Sequence, residues 1–135
     1  MIIHFYEKPG CINNTKQKRI LEAHGHKIYA HSLLSQSWKP STLRLFFADM
    51  PVPKWFNMAA PRIKSGEIVP ESFEEDAALL AMINDPLLIR RPLIDAQGEL
   101  GCGFDNYLVK KLLGVDANIS DLQTCPNIGK HQQCD

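Results

Sequence analysis

The stretch Ile2–Cys11, IIHFYEKPGC, decides the fold because it places a strand, a chain break and a cysteine in direct succession. Its apolar run predicts a buried strand, which Pro9-Gly10 breaks. The polar stretch Asn13–Arg19 follows at once and opens a helix. The apolar face predicted for that helix consists of Ile20, Leu21 and Ala23. The sequence therefore places Cys11 between a first strand and a first helix.

A position at the start of a helix favours the thiolate form of Cys11. The first N–H groups of a helix have no partner within the helix, and the helix dipole favours an anion there. A thiolate at this point is stabilised, and the thiolate is the nucleophilic form of cysteine. Lys16, about one helical turn beyond, adds positive charge. The alternative is that Cys11 is a small buried apolar residue, since free cysteine is often fully buried.

The next elements complete a βαβ unit and lead into a helical middle. Gly25 ends the first helix, and His26–Leu33 reads as a second strand, parallel to the first with a right-handed crossover. Helical segments follow over about residues 37–85. One is predicted to be capped by Ser41. Another begins at Ser72, where Glu75 three residues later completes a capping box.

The last elements predict a ββα unit. Asp95–Gly98 reads as a hairpin turn between two short strands, and Asn106–Leu113 as a closing helix that ends at Gly114. The order βαβ…ββα predicts the α/β class, specifically a thioredoxin-like fold with a mixed four-stranded sheet and an inserted helical subdomain. This domain is predicted to span 1–115. Residues 116–135 read as a polar, flexible tail that carries cysteines.

Composition restricts the function classes. The chain has 135 residues, equal numbers of acidic and basic side chains, and a formal net charge of zero. This balance gives no electrostatic reason to expect nucleic acid or an acidic membrane as a partner. No apolar run approaches the ~20 residues of a membrane span, and no signal-peptide pattern opens the chain. We expect a cytoplasmic monomer whose four cysteines form no disulfide framework.

Three segments resemble the arsenate reductase (ArsC)/Spx family of thioredoxin-fold proteins. Tyr6–Cys11 is similar to the strand–Pro–x–Cys opening of the family, and Pro86–Ile94 to its Pro-x-Leu-Ile-x-Arg-Pro signature. The hairpin Asp95–Cys102 and the segment Gly103–Asp105 follow in register. The resemblance covers about residues 1–115. Within the family, Lys8–Asn14 and the cysteine-bearing tail most resemble the nitrogenase-associated protein branch.

The resemblance implies roles for individual residues. Cys11 matches the reactive cysteine, Arg91 the arginine that binds the oxyanion, and Pro92 the proline that the fold holds in cis. An arginine suits this role because it stays charged and presents a fork of donors. We assign Asn14 and Lys16 to the same anion- or substrate-binding group. The alternative for Arg91 is one half of a solvated basic pair with its neighbour.

Other positions depart from the family. Arsenate reductases of this group have further arginines where Asn57, or a residue near it, and Gly103 stand here, and Glu7 adds a negative charge beside the site. These departures argue against arsenate reduction. Asn14 replaces the second cysteine of a Cys-x-x-Cys pair, so Cys11 has no neighbouring partner. The resolving thiol is then glutathione, another protein, or a distant cysteine.

Two functional hypotheses follow from the resemblance. The first is a single-cysteine thiol oxidoreductase linked to glutathione or glutaredoxin, with glutathione as a co-substrate and no bound cofactor. The second is a non-enzymatic, Spx-like interaction module with a nitrogen-fixation protein as partner. Cys125 and Cys134 are candidate resolving thiols, with idle tail thiols as the alternative. The spacing of Cys125, His131 and Cys134 fits no standard zinc site, so we predict no bound metal. Cys102 is expected to be an inert thiol on a central strand.

Overall fold

The computed structural model describes residues 1–114, and the predicted tail 116–135 lies outside them. The strands are β1 (Ile2–Glu7), β2 (Lys27–Ser32), β3 (Leu93–Ala96) and β4 (Glu99–Cys102). The helices are α1 (Ile12–Ala23), α2 (Pro40–Leu45), α3 (Pro61–Lys64), α4 (Glu75–Asn84) and α5 (Tyr107–Leu113). Short 3₁₀ turns cover Leu33–Ser35, Val52–Trp55, Pro70–Ser72 and Pro86–Leu88.

The strands form one mixed sheet in the order β2-β1-β3-β4. β1 runs parallel to β2 and antiparallel to β3, which is antiparallel to β4. This arrangement confirms the α/β, thioredoxin-like fold with its mixed four-stranded sheet. The expectation that Cys102 lies on a central strand is wrong. The tight hairpin folds β4 back along β3, whose other side is occupied by β1, so β4 and Cys102 lie at the edge.

Each face of the sheet buries a separate apolar cluster. Successive strand residues point to opposite faces, so neighbouring Leu93 and Ile94 belong to different clusters. The cluster around Ile94 packs against α1 and α5, with Leu21 and Val109 fully buried. The cluster around Leu93 packs against the helices inserted between β2 and β3, with Trp55 fully buried. The two cores hold the ends of β1 and β3 in fixed positions.

The inserted helices begin at other residues than the sequence predicted. α2 begins at Pro40 with Lys39 as N-cap, because proline suits the first helical position, where its missing N–H is not needed. Ser41 therefore lies inside the helix. α4 begins at Glu75, and no capping box forms. The Ser72 hydroxyl instead donates to the carbonyl of Val69 at 2.6 Å, within the turn that Pro70 opens.

The hairpin between β3 and β4 is confirmed. Gln97 and Gly98 both have positive φ, 54° and 94°, as a two-residue type I′ turn requires. The Gly98 N–H also donates to Asp95 Oδ1 at 2.9 Å. Within residues 1–114, no helix combines the length and apolar character needed to cross a bilayer.

Candidate active site around Cys11

Cys11 is the N-cap of α1, at the end of a tight loop that leaves β1. Its N–H donates to the carbonyl of Lys8 at 3.2 Å, and Gly10 has φ +84°, a conformation that favours glycine. The Cys11 carbonyl accepts from both the N–H and the hydroxyl of Thr15, each at 3.1 Å. The residue is 2% exposed, and its side chain makes no capping hydrogen bond. The sulfur is therefore held at the helix N-terminus without being used to cap it.

Asn14 fastens this loop to the helix. Its side-chain oxygen accepts from the Lys8 N–H at 3.4 Å, and its Nδ2 donates to Gln17 Oε1 at 3.0 Å. Both Asn14 and Gln17 are buried. The structure thus places Asn14 beside Cys11, and its amide is engaged in holding the loop.

The buried face of α1 differs from the predicted apolar face. The buried residues are Asn13, Asn14, Gln17 and Leu21, whereas Ala23 is exposed and Ile20 is half-buried. The first two turns of α1 therefore turn polar amides toward the protein. The spacing of three and four residues between these side chains indicates one face of a helix, but amide side chains are usually expected to face solvent.

Arg91 and Pro92 lie at the same end of the sheet as Cys11. Tyr6 near the end of β1 pairs with Leu93 at the start of β3, so the residues before Leu93 adjoin the loop that follows β1. The Arg91–Pro92 peptide bond is cis, as the family resemblance implied. Arg91 is only 9% exposed, which is unusual for an arginine and does not fit a solvated basic pair.

Arg90 has a separate function in the fold. Its Nη2 contacts both carboxylate oxygens of Asp105 at 3.1 Å. The ion pair fixes the chain before the cis-proline to the segment before α5. This ion pair was not predicted from the sequence.

Lys16 and Glu7 occupy different environments. Lys16 is exposed on α1, and the structure gives it no polar contact within residues 1–114. Glu7 forms an ion pair with Lys18 at 2.9 Å, with side-chain exposures of 13% and 24%. The negative charge expected to oppose an anion at the site is therefore matched by a lysine of α1. This pair was not predicted from the sequence.

The two positions that lack the reductase arginines have structural roles here. The Asn57 N–H donates to the Leu88 carbonyl at 2.8 Å, and its Nδ2 donates to the Leu87 carbonyl at 3.3 Å. Gly103 has φ +86°, and its N–H donates to the Pro92 carbonyl at 2.8 Å. Both residues thus support the segment around the cis-proline and supply no cation.

Cys102 is as buried as Cys11, each at 2% exposure, but it lies on β4 rather than at a helix N-terminus. Burial raises the pKa of the Cys102 thiol from its ordinary value of 9.0 to about 12, an effect that the charge of Arg90 opposes and that of Asp105 reinforces. The thiol donates weakly to the Arg90 carbonyl, with a sulfur–oxygen distance of 3.6 Å. A thiol that stays protonated is a poor nucleophile, so the geometry makes Cys102 unreactive.

No group of three or more His, Cys, Asp or Glu side chains is arranged to hold a metal ion in the described part of the chain. The predicted resolving thiols, Cys125 and Cys134, lie outside residues 1–114, as does His131. At one end of the sheet, residues 1–114 therefore place a cysteine at a helix N-terminus, a nearly buried arginine and a cis-proline.

Comparisons with known proteins agree with this architecture. The model of the ArsC family matches residues 6–112. A protein of Rhodospirillum rubrum called "uncharacterized 15.7 kDa protein in draG 3′ region" is 47% identical over 131 residues, covering 96% of this chain and 92% of the relative. An arsenate reductase structure from Vibrio cholerae superposes with a TM-score of 0.67 at 20% identity, covering 85% of this chain and 98% of that one. An ArsC family related protein from Bacteroides fragilis gives 0.70 at 20% identity, covering 83% and 99%. This chain belongs to the ArsC family.

Proposed function

We propose that the protein is a single-cysteine thiol oxidoreductase linked to glutathione or glutaredoxin. The Cys11 thiolate attacks the glutathione sulfur of a mixed disulfide between glutathione and a substrate thiol. A disulfide forms between Cys11 and glutathione, and the substrate thiol is released as the leaving group. A glutathione thiolate then attacks the Cys11 adduct, which yields glutathione disulfide and restores Cys11. Each cycle consumes one glutathione thiol and releases one substrate thiol, because the second half of the glutathione disulfide comes from the mixed disulfide itself, and no bound cofactor takes part.

The observation that carries this proposal is the position of Cys11 as an N-cap whose side chain makes no capping bond. The N-terminal end of a helix, with its N–H groups directed outward and the positive end of its dipole, is a favourable place for an anionic sulfur. Arg91 at the same end of the sheet supplies a permanent cation for a carboxylate of the substrate.

Arsenate is a poor fit as the substrate. Arsenate carries several charged oxygens, and each charge-assisted hydrogen bond adds materially to its binding. Asn57 and Gly103 donate to backbone carbonyls and provide no cation. A glutathione carboxylate, in contrast, needs one arginine.

The test is turnover of the mixed disulfide between glutathione and 2-mercaptoethanol, coupled to glutathione reductase and NADPH. The wild-type full chain should turn it over, Cys11→Ser should lose activity, and Cys102→Ala should retain it. Arsenate in place of the disulfide should give little or no rate. Equal activity of Cys11→Ser and the wild type would overturn the proposal.

A second function is favoured by one specific finding. The relative that is 47% identical takes its name from the draG region, a nitrogen-fixation region. The alternative is a non-enzymatic, Spx-like module that binds a nitrogen-fixation protein. It predicts no turnover by the wild type, together with capture of a defined partner from nitrogen-fixing cells. Cys102→Ala should capture the same partner as the wild type, whereas turnover without capture would remove this alternative.

A further inference from the structure

We propose that the exposed face of α1 beside Cys11 docks an acidic peptide segment, so that the preferred substrate of this site is a disulfide flanked by acidic residues. This inference rests on the proposed reactivity of Cys11. It adds the chemical class of the partner and the surface that recognises it.

The surface is a stripe on α1 that starts next to the cysteine. Ile12, Lys16 and Arg19 are all exposed. At 3.6 residues per turn they fall within about 60° of one another around the helix. With a rise of 1.5 Å per residue, Lys16 lies about 6 Å and Arg19 about 10.5 Å along the axis from Ile12. We call these three residues the α1 stripe.

The charges along this stripe are not neutralised within the described residues. Lys16 and Arg19 form no ion pair within residues 1–114, whereas Lys18 on the neighbouring side of the helix is paired with Glu7. Residues 7–23 contain four basic side chains and two acidic ones, a net charge of +2. The segment 71–76, on the inserted helices, holds four acidic side chains and no basic one. Residues 39–64 of the inserted segment carry more positive charge, with five basic side chains and one acidic one, so the α1 stripe is distinguished by its position next to Cys11.

A groove adjoins the stripe. A cavity of about 270 Å³ lies between α1 and the edge strand β2, lined by Thr15, Lys18, Arg19, Glu22, Ile28 and Ala30. Thr15, Ile28 and Ala30 are short or apolar side chains, and the charged side chains are Arg19, Glu22 and Lys18, of which Lys18 is paired with Glu7, so the groove offers depth beside the stripe. An extended segment that reaches Cys11 along the α1 stripe would have this groove beside it. Ile12, exposed at the rim of the site, would provide an apolar contact next to the reacting sulfur.

The positive charge of the α1 stripe favours an acidic partner segment over a basic one. Complementary charge beside a reactive group raises the association rate, and the gain falls steeply with ionic strength. Lys16 and Arg19 lie within about one Debye length, ~8 Å at physiological salt, of a segment bound along the stripe. An acidic segment is therefore attracted before it reaches Cys11, and a basic segment is repelled.

The experiment compares three short peptides of equal length, in which a central cysteine carries a 2-pyridyl disulfide and is flanked by glutamates, glutamines or lysines. The Cys11 thiolate attacks the peptide sulfur and forms the peptide disulfide, and 2-thiopyridone leaves. The Cys11 adduct of the full chain is quantified by peptide mapping at early times, so reaction at other cysteines is not counted. At low salt the glutamate peptide should react about tenfold faster than the lysine peptide. In 1 M salt, where the Debye length is ~3 Å, the ratio should approach one.

Two variants locate the effect. The double variant Lys16→Gln, Arg19→Gln should reduce the low-salt ratio of the glutamate-peptide rate to the lysine-peptide rate by at least about threefold. The preference for the glutamate peptide that remains is attributed to the charge of Arg91. Lys27→Gln is the matched control, because Lys27 is exposed and pairs with Ile2, about 17 Å along β1 from Glu7. This control should leave the ratio unchanged. An unchanged ratio in the double variant, or equal rates for all three peptides in the wild type, would overturn the docking inference. No Cys11 adduct with any peptide would instead overturn the proposed function.

Discussion

Raising the pH from 8 to 10 should destabilise the protein through Cys102. Burial raises the pKa of this thiol from an ordinary 9.0 to about 12, so at pH 10 it is ionised in the unfolded chain but not in the native one. Above pH 9 the unfolded state therefore binds fewer protons than the native state. The free energy of unfolding falls with pH wherever this holds, up to the native pKa.

The size of the effect follows from the two pKa values. At pH 10 the unfolded thiol is about 90% ionised and the native thiol almost entirely protonated, which lowers the free energy of unfolding by on the order of 1 kcal/mol relative to neutral pH. At pH 8 the same contribution is below about 0.1 kcal/mol. The result is insensitive to the exact native pKa, because any value above about 11 gives nearly the same loss at pH 10.

The assay is urea unfolding of the wild type and of Cys102→Ala at pH 8 and pH 10, under reducing conditions. Cys102→Ala should be the less stable protein at pH 8, because it leaves a small cavity. Its free energy of unfolding should nevertheless fall less than that of the wild type between the two pH values, by on the order of 1 kcal/mol. Tyr6, whose pKa is also raised by burial and then by Asp95, is present in both proteins and cancels in the comparison.

Identical losses in the two proteins would refute this reasoning. They would mean that Cys102 ionises in the native state and is a candidate nucleophile. Ready alkylation of Cys102 by iodoacetamide in the native protein at pH 8 would lead to the same conclusion.

Three further changes test the surroundings of the site. Asn14→Leu removes the part-buried hydrogen bond to the loop at Lys8 and the buried one to Gln17, and should lower the free energy of unfolding by about 1–3 kcal/mol, measured by urea unfolding; a change below about 0.5 kcal/mol would contradict the loop-holding role. Glu7→Gln frees Lys18 and should speed reaction of the site with the glutamate peptide at low salt, with a stability change within about 1 kcal/mol; an unchanged rate would show that the pair does not influence the site. Mild peroxide followed by non-reducing peptide mapping should trap a disulfide between the reactive cysteine and Cys125 or Cys134; glutathione adducts alone, formed when glutathione is present, would exclude self-resolution.

Much of the fold could be predicted because several local signals agree. The run Ile2–Cys11 combines an apolar strand, a Pro-Gly break and a helix start, and the structure has each of these. Asp95–Gly98 predicts a hairpin from turn chemistry alone, and positive φ at Gln97 and Gly98 confirms it. These features depend on neighbouring residues, so a single sequence contains the necessary information.

Features that depend on tertiary contacts could not be predicted. Asn14 and Gln17 face inward because they bond the loop and each other, whereas polar helix residues usually face water. Ser72 has the pattern of a helix cap, but the turn opened by Pro70 takes up its hydroxyl. The edge position of Cys102 depends on the strand order, which no local pattern specifies.

The same limit applies to the site. A resemblance to a family can assign Arg91 and Pro92, because they lie in a contiguous signature. The Glu7–Lys18 and Arg90–Asp105 pairs join residues that are distant in sequence. Their effect on the charge around Cys11 emerges only once the strands and helices are in place.

The most direct test of the central claim is the site of glutathione attachment. The reduced full chain is incubated with glutathione disulfide at neutral pH and low salt, quenched with acid and mapped by mass spectrometry. The account predicts rapid attachment at Cys11, none at Cys102 while the protein is folded, and complete removal from Cys11 by reduced glutathione. Attachment at other cysteines with Cys11 unmodified would contradict it.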